Sequence, residues 1–248
     1  MAEKKGRKKV SKVRRTAENT IMVCLALIMV VSGYRVYTIY RDYKANQSAY
    51  DNVSQKAQPD GFTGDIDFDA LREINPEVIG WIYNEDLKID YPIVQGTDNK
   101  TYLSKLFDGT WGGCGTLFAD CITEAPFRQF NTIVYGHHMK DGTMFAQLKR
   151  YKDPEYIKGN PRLELITPEG KFHLQIWAFL NQPADSNIYT TNITDAGSQQ
   201  NYLDLAAGMA DYITNVEVAP GDRLVVLSTC AYEYQDARYI VVCKMVPW

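Results

Sequence analysis

Cys230 ends the apolar run RLVVLSTC, and eight residues later Arg238 stands at the start of a second run, ARYIVV. A thiol attacks only as thiolate, and an ordinary cysteine ionises near about 8.5, so it needs a nearby cation and a proton carrier to act at neutral pH. If residues 231–236 join two antiparallel strands, Cys230 and Arg238 meet at one sheet edge. A permanently charged guanidinium there favours the thiolate and donates hydrogen bonds to an oxyanion. Cysteine and arginine at this spacing also occur by chance, so a proton carrier has to be found elsewhere.

The chain has three histidines, His137, His138 and His173. His173 lies inside KFHLQIW, where a half-exposed structural role in a strand is expected. The stretch YGHHMKDGTMF follows a β-rich segment, is bounded by glycine and precedes a helical segment, a position that displays reactive side chains. Of the five cysteines, Cys24 sits in an apolar N-terminal segment and Cys243, in YIVVCKMV, reads as a small buried hydrophobe. No CxxC pair or cysteine/histidine metal spacing is present, which argues against a zinc site. Whether Cys114 and Cys121 pair is open at this point.

Short segments rich in β-branched and aromatic residues recur between turn signals: IDYPIVQ, GTLFAD, NTIVYG, RLELIT, KFHLQIWAFL, DRLVVLST and ARYIVVCKMV. TPEG between two of them fits a hairpin turn. A helix capped by Asp67 runs for one or two turns and stops near Pro76. GTMFAQLKRY and SQQNYLDLAAGMADYIT read as helices, the latter with Leu203, Ala206, Ala207 and Ala210 on one face. Seven or so strands with few helices predict a mostly-β closed barrel with helical decoration. The regular strand–helix alternation of a doubly wound sheet is absent.

The formal net charge of the 248 residues is -3, which gives no global field for nucleic acid. Locally the balance breaks: eight Lys and Arg lie between Lys4 and Arg15 without an acid, and residues 19–34 carry no charge. Those sixteen residues rise about 24 Å as a helix, with Arg35 able to snorkel and Tyr34, Tyr37 and Tyr40 forming an interfacial belt. A cleaved signal peptide is the rival reading, but VVSGYRVYTIY is a poor A-x-A-like site. The expected organisation is a cytoplasmic basic tail (1–18), a transmembrane signal anchor (19–40), a polar stalk and linker (41–64) and an extracellular catalytic domain (65–248).

Taken together, NTIVYGHHMKDGTMF, LSTC followed by ARYIVV, and the N-terminal anchor resemble the sortases. INPEVIGWI, IDYPIVQGTDNKTYL and the helix-bearing segment between IWAFL and DRLVVLSTC look like class B, over about residues 66–246. The resemblance implies a sortase-type barrel with an N-terminal helix and a helix before the cysteine strand. It implies a membrane-anchored cysteine transpeptidase of a Gram-positive bacterium. Such an enzyme cleaves the C-terminal sorting signal of surface proteins through a thioacyl intermediate and transfers them to an amine of a lipid-linked peptidoglycan precursor. Cys230 is then the nucleophile, His137, directly after Gly136, the general acid and base, and His138 a neighbour. Arg238 orients substrate and stabilises the oxyanion, with the backbone N–H of Ala231. Ser228, Thr229, Asn99, Leu103 and Tyr189 line the substrate groove. No cofactor is expected, and no metal, since no acidic cluster of the kind used by calcium-dependent relatives of another class precedes LSTC. Cys121 departs from class B relatives, which commonly carry an aromatic or polar residue there followed by Arg and Asn. The alternative is a cysteine peptidase or hydrolase acting on cell-wall proteins or peptidoglycan, with an Asn or Asp orienting the histidine. A non-enzymatic anchored binding domain is a further rival, disfavoured by the co-occurrence of Cys230, His137 and Arg238.

Overall fold

A computed structural model describes residues 12–159 and 162–248; the basic residues from Lys4 to Lys9 lie outside them. Helix α1, Lys12–Ala57, is continuous. Within it the apolar side chains from Ile21 to Tyr40 are exposed, and the segment is long and apolar enough to cross a membrane, with a mean hydropathy of 1.8 over its best window. Residues up to Ala45 form one unit, and the unit holding the β-strands begins at Asn46.

The last turns of α1 therefore belong to the β domain. Tyr50, Val53 and Ala57, spaced i, i+3, i+7, make one helical face and are buried in the core. Ser54 Oγ and Gln58 Nε2 both bond the carboxylate of Asp90, which also accepts from the Trp81 indole. The polar stretch after the apolar segment is thus in part a docked helix end, because the apolar stripe recurs within it.

Helix α2, Phe68–Ile74, starts where the sequence indicated: Asp67 accepts from the amides of Asp69 and Ala70. Strands β1 (Val78–Asn84) and β2 (Ile89–Val94) follow as a hairpin, then β3 (Leu117–Ala119) and β4 (Asn131–Tyr135). The predicted helix at GTMFAQLKRY is a 3-10 segment, Ala146–Lys152, followed by the short α3 (Pro154–Gly159). Strands β5 (Arg162–Thr167) and β6 (Gly170–Pro183) are joined by the TPEG turn. Helix α4 (Ala196–Met209), capped by Asp195, precedes the two-residue β7 (Tyr212–Ile213), and β8 (Arg223–Cys230) and β9 (Ala237–Pro247) finish the chain.

Eight of these strands close in the order β5-β1-β2-β3-β4-β8-β9-β6, with β6 returning to β5; β7 adds to the far part of β6. The pairings β2/β3 and β4/β8 are parallel, and the others are antiparallel. β1 was missing from the strands expected. Gly80 interrupts its side-chain pattern, and the space beside it is tight: a Cβ there would stand 3.3 Å from both Ile166 O and Phe127 Cε2.

Side-chain alternation divides the core. Val225, Leu227, Val241 and Cys243 point into the barrel, whereas Leu224, Val226, Ile240 and Val242 point outward under Tyr202, Leu203 and Ala206 of α4. Ala207 and Ala210 pack partly on that second cluster. Of the remaining cysteines, Cys114 is buried and Cys121 half-buried, and both are free thiols, which closes the pairing question. His173 faces Glu164 across the β5/β6 pair, with its Nδ1 2.5 Å from Oε2, in the structural role expected of it.

Candidate active site

Cys230 is the last residue of β8 and stands directly opposite Arg238 of β9. The Ala231 amide donates to Ala237 O at 2.8 Å, so 231/237 is a hydrogen-bonded pair and 230/238 a non-hydrogen-bonded one. Residues in such a pair have Cα atoms only about 4.5 Å apart and side chains on the same face. One bond fixes the guanidinium, Arg238 Nη1 to Ala237 O at 3.0 Å. Among the described residues no carboxylate pairs with it.

The histidines arrive from β4. Its parallel pairing runs from Asn131↔Leu224 to Tyr135↔Ser228, and Gly136 N–H adds one more rung to Ser228 O at 3.0 Å. The chain then turns away, which brings residues 137 and 138 to the end of β8 that bears Cys230. Gly136 is tightly enclosed: a Cβ would lie 2.4 Å from Leu117 Cδ2 and 2.6 Å from Phe145 Cδ2, so those side chains would have to shift. His137 Nε2 lies 2.7 Å from Leu103 O. A carbonyl only accepts, so Nε2 carries hydrogen and Nδ1 is the ring atom left to exchange a proton.

A cavity of about 280 Å³ joins these groups, just below the usual range of roughly 300–1,000 Å³ for small-molecule sites. Its walls include all eight residues singled out from the sequence: Asn99, Leu103, His137, Tyr189, Ser228, Thr229, Cys230 and Arg238. Asn99 is held through its Oδ1, which accepts from the Cys121 amide at 2.9 Å. The Tyr189 and Ser228 hydroxyls bond at 2.9 Å. Burial pushes the Tyr189 phenol up to about 12; its bond to Ser228 and the Arg238 charge work against that shift, and the Cys230 thiol works with it. The Thr229 hydroxyl is buried without a partner.

The sequence did not single out Phe118, Tyr135 or Ala184 at this site. Phe118 and Tyr135 line the cavity, with rings 5.3 Å apart, and Tyr135 OH donates to Asp120 Oδ2 at 2.8 Å. Burial, followed by Asp120, raises the Tyr135 phenol far above its usual range. Tyr135 ends β4 as Cys230 ends β8, and Phe118 lies one residue before the end of β3, which was the available signal. One expectation needs correction: the Ala231 amide is committed to Ala237 O and is not free for an oxyanion. The orienting partner of His137 is likewise a backbone carbonyl, not an Asn or Asp side chain.

Comparison with known proteins places this geometry. A family profile described as "Sortase domain" matches residues 82–246. Sortase B of Listeria monocytogenes is 29% identical over 227 residues, 88% of this chain and 92% of that protein. Sortase B of Staphylococcus aureus is 28% identical over 239 residues, 91% of this chain and 95% of that protein. Among solved structures, a Staphylococcus aureus sortase B–substrate complex superposes with a TM-score of 0.75 at 28% identity, covering 84% of this chain and 99% of the other.

Proposed function

The chain belongs to the sortase family and is a class B sortase-type cysteine transpeptidase; from that premise we propose how its own residues perform the transfer. The Cys230 thiolate attacks the carbonyl of a sorting-signal peptide bond. The remaining N–H groups of Arg238 take the charge that builds on the carbonyl oxygen. His137, held by Leu103 O, gives a proton to the departing amine and leaves a thioacyl enzyme. An amine from a lipid-linked peptidoglycan precursor then attacks the thioester, His137 takes its proton, and Cys230 is released. Asn99, Leu103, Tyr189, Ser228 and Thr229 form the walls against which the acyl peptide lies.

The observation that carries this reading is one cavity bordered at once by Cys230, His137 and Arg238, contributed by the ends of three adjacent strands. The proposed organisation is a basic cytoplasmic tail, a single membrane-spanning segment near residues 19–40, a segment to about 64 and an extracellular catalytic domain. The exposed apolar face of α1 and the cationic cluster before it support that placement. Surface proteins bearing sorting signals and the lipid-linked precursor both meet an enzyme so placed at the outer membrane face.

Mass spectrometry of the full chain after incubation with a library of sorting-signal peptides tests the reading. The expected result is an acyl adduct on Cys230 that disappears when an amine acceptor is added. Absence of an adduct across the library, or turnover that survives Cys230→Ala, overturns it. Product released to water at the same rate with and without the amine favours the hydrolase.

A further inference from the structure

The end of β8 poses a hydrogen-bonding problem. Cys230 lies in a non-hydrogen-bonded pair with β9, so its carbonyl points the other way, toward β4. Along that parallel edge Gly136 N–H serves Ser228 O at 3.0 Å. The next acceptor is the carbonyl two residues on, Cys230, and its regular donor is the backbone amide of residue 138. That amide is elsewhere: β4 has ended, His138 bridges to Met144, and Phe145 N–H donates to His137 O at 3.0 Å.

The His138 side chain fills the missing rung, with Nδ1 2.7 Å from Cys230 O. Facing an oxygen that only accepts, Nδ1 carries the hydrogen, the opposite arrangement to His137. The ring is held in turn. Its centroid lies 5.2 Å from that of Tyr232 and 6.2 Å from that of Tyr239, and the Tyr232 hydroxyl reaches His138 O at 3.3 Å.

We propose that His138 is a positioning residue for the nucleophile: its Nδ1–H replaces the strand bond that β4 no longer supplies. By holding the Cys230 carbonyl it fixes the peptide plane after Cys230, and so the direction in which the thiol projects into the cavity it shares with His137 and Arg238. His138 touches no reacting atom. The proposal rests on Cys230 being the nucleophile, and it distinguishes two adjacent histidines by what each ring nitrogen faces.

Side-chain geometry supplies the test. The amide nitrogen of asparagine stands as many bonds from Cα as Nδ1, whereas that of glutamine stands one bond farther, as Nε2 does. His138→Ala, His138→Asn and His138→Gln are made in the full chain in detergent. They are assayed with the fluorogenic pentapeptide that the wild-type protein cleaves fastest in an unbiased library. Rates are normalised to the iodoacetamide-reactive Cys230 in each preparation, and melting temperatures are recorded.

Alanine is expected to lower kcat about tenfold with KM within about twofold, since a net hydrogen bond of about 1.4 kcal/mol corresponds to that factor. Asparagine is expected to restore kcat to within about threefold of wild type while glutamine stays with alanine. A merely structural role would lower stability and active fraction in all three without separating asparagine from glutamine. Equal kcat for those two variants, or an unchanged kcat in His138→Ala, overturns the proposal. Cys230→Ala is the control: its inactivity with the histidine pattern absent refutes positioning alone, and its turnover refutes the nucleophile and positioning together.

Discussion

Arg238→Ala offers the sharpest measure of the proposed chemistry. In many acyl-transfer sites two donors share the oxyanion, so losing one leaves the other. Here the Ala231 amide already serves Ala237 O at 2.8 Å, and freeing it means opening the last rung of β8/β9. The guanidinium has five N–H donors, one of them spent on Ala237 O at 3.0 Å. The rest are the charged donors opposite Cys230. Removing one oxyanion donor typically lowers kcat by about 10² to 10³, or roughly 2.7–4 kcal/mol. We expect Arg238→Ala to fall at or beyond the upper part of that range, and Arg238→Lys to lose about 10- to 100-fold because an ammonium cannot both hold Ala237 O and present a planar fork.

Stability is a separate readout. The folded protein forfeits one hydrogen bond, a net contribution of about 0.5–1.5 kcal/mol, which lowers Tm by roughly 1–6 °C in a domain this size. Activity loss and unfolding therefore differ by orders of magnitude at 25 °C. Steady-state transfer of the selected peptide to an amine, with thermal unfolding measured on the same samples, separates them. A kcat within threefold of wild type in Arg238→Ala, or a loss no larger than the unfolded fraction, would refute the reasoning.

Gly136→Ala should cost about 1–3 kcal/mol and reduce transfer together, because its Cβ has to displace the buried Leu117 and Phe145 beside His137; an unchanged Tm in a thermal melt contradicts this. Tyr189→Phe removes the bond to Ser228 Oγ at 2.9 Å, and we expect a stability loss below about 1.5 kcal/mol with KM raised about three- to tenfold and kcat little changed. Burial pushes the Cys114 thiol up to about 12 and the Cys243 thiol upward as well, which leaves on the order of one thiolate in 10⁴ at pH 8 for Cys114. Iodoacetamide at pH 8 should thus label Cys230 and spare Cys114 and Cys243, and peptide mapping that finds Cys114 modified as fast as Cys230 would count against that packing.

Features carried by local pattern were legible in the sequence. The Asp67 cap, the TPEG hairpin and the alternating runs of β8 and β9 each follow from a few neighbouring residues. β1 escaped because Gly80 breaks its alternation, and that glycine answers to Ile166 and Phe127, which are remote in the chain. The docked end of α1 was legible in principle, since Tyr50, Val53 and Ala57 recur at helical spacing inside a polar stretch, but its partner Asp90 is visible only in the fold. The cavity residues were found through family motifs. What the motifs omit are relations between backbone and side chain: Leu103 O on His137, Ala231 N–H on Ala237, and His138 in place of a strand. Motifs record residue types, and none of those bonds requires a distinctive type at both ends.

Pairing direction explains why three residues so far apart in sequence share one site. β4 and β8 run parallel, so the loop carrying His137 leaves the barrel at the same end as Cys230. β9 runs antiparallel to β8, so its first residues, including Arg238, lie at that end too. Were β4 reversed in place, Gly136 would fall beside Arg223, seven residues of strand from Cys230. At about 3.3 Å per residue that separation is roughly 23 Å, beyond the reach of any imidazole. The parallel pair has a consequence of its own: both strands exit together, so neither supplies the other's next rung. The unsatisfied carbonyl left at Cys230 is a product of the topology that assembles the site, and a side chain from the departing loop is the group best placed to meet it.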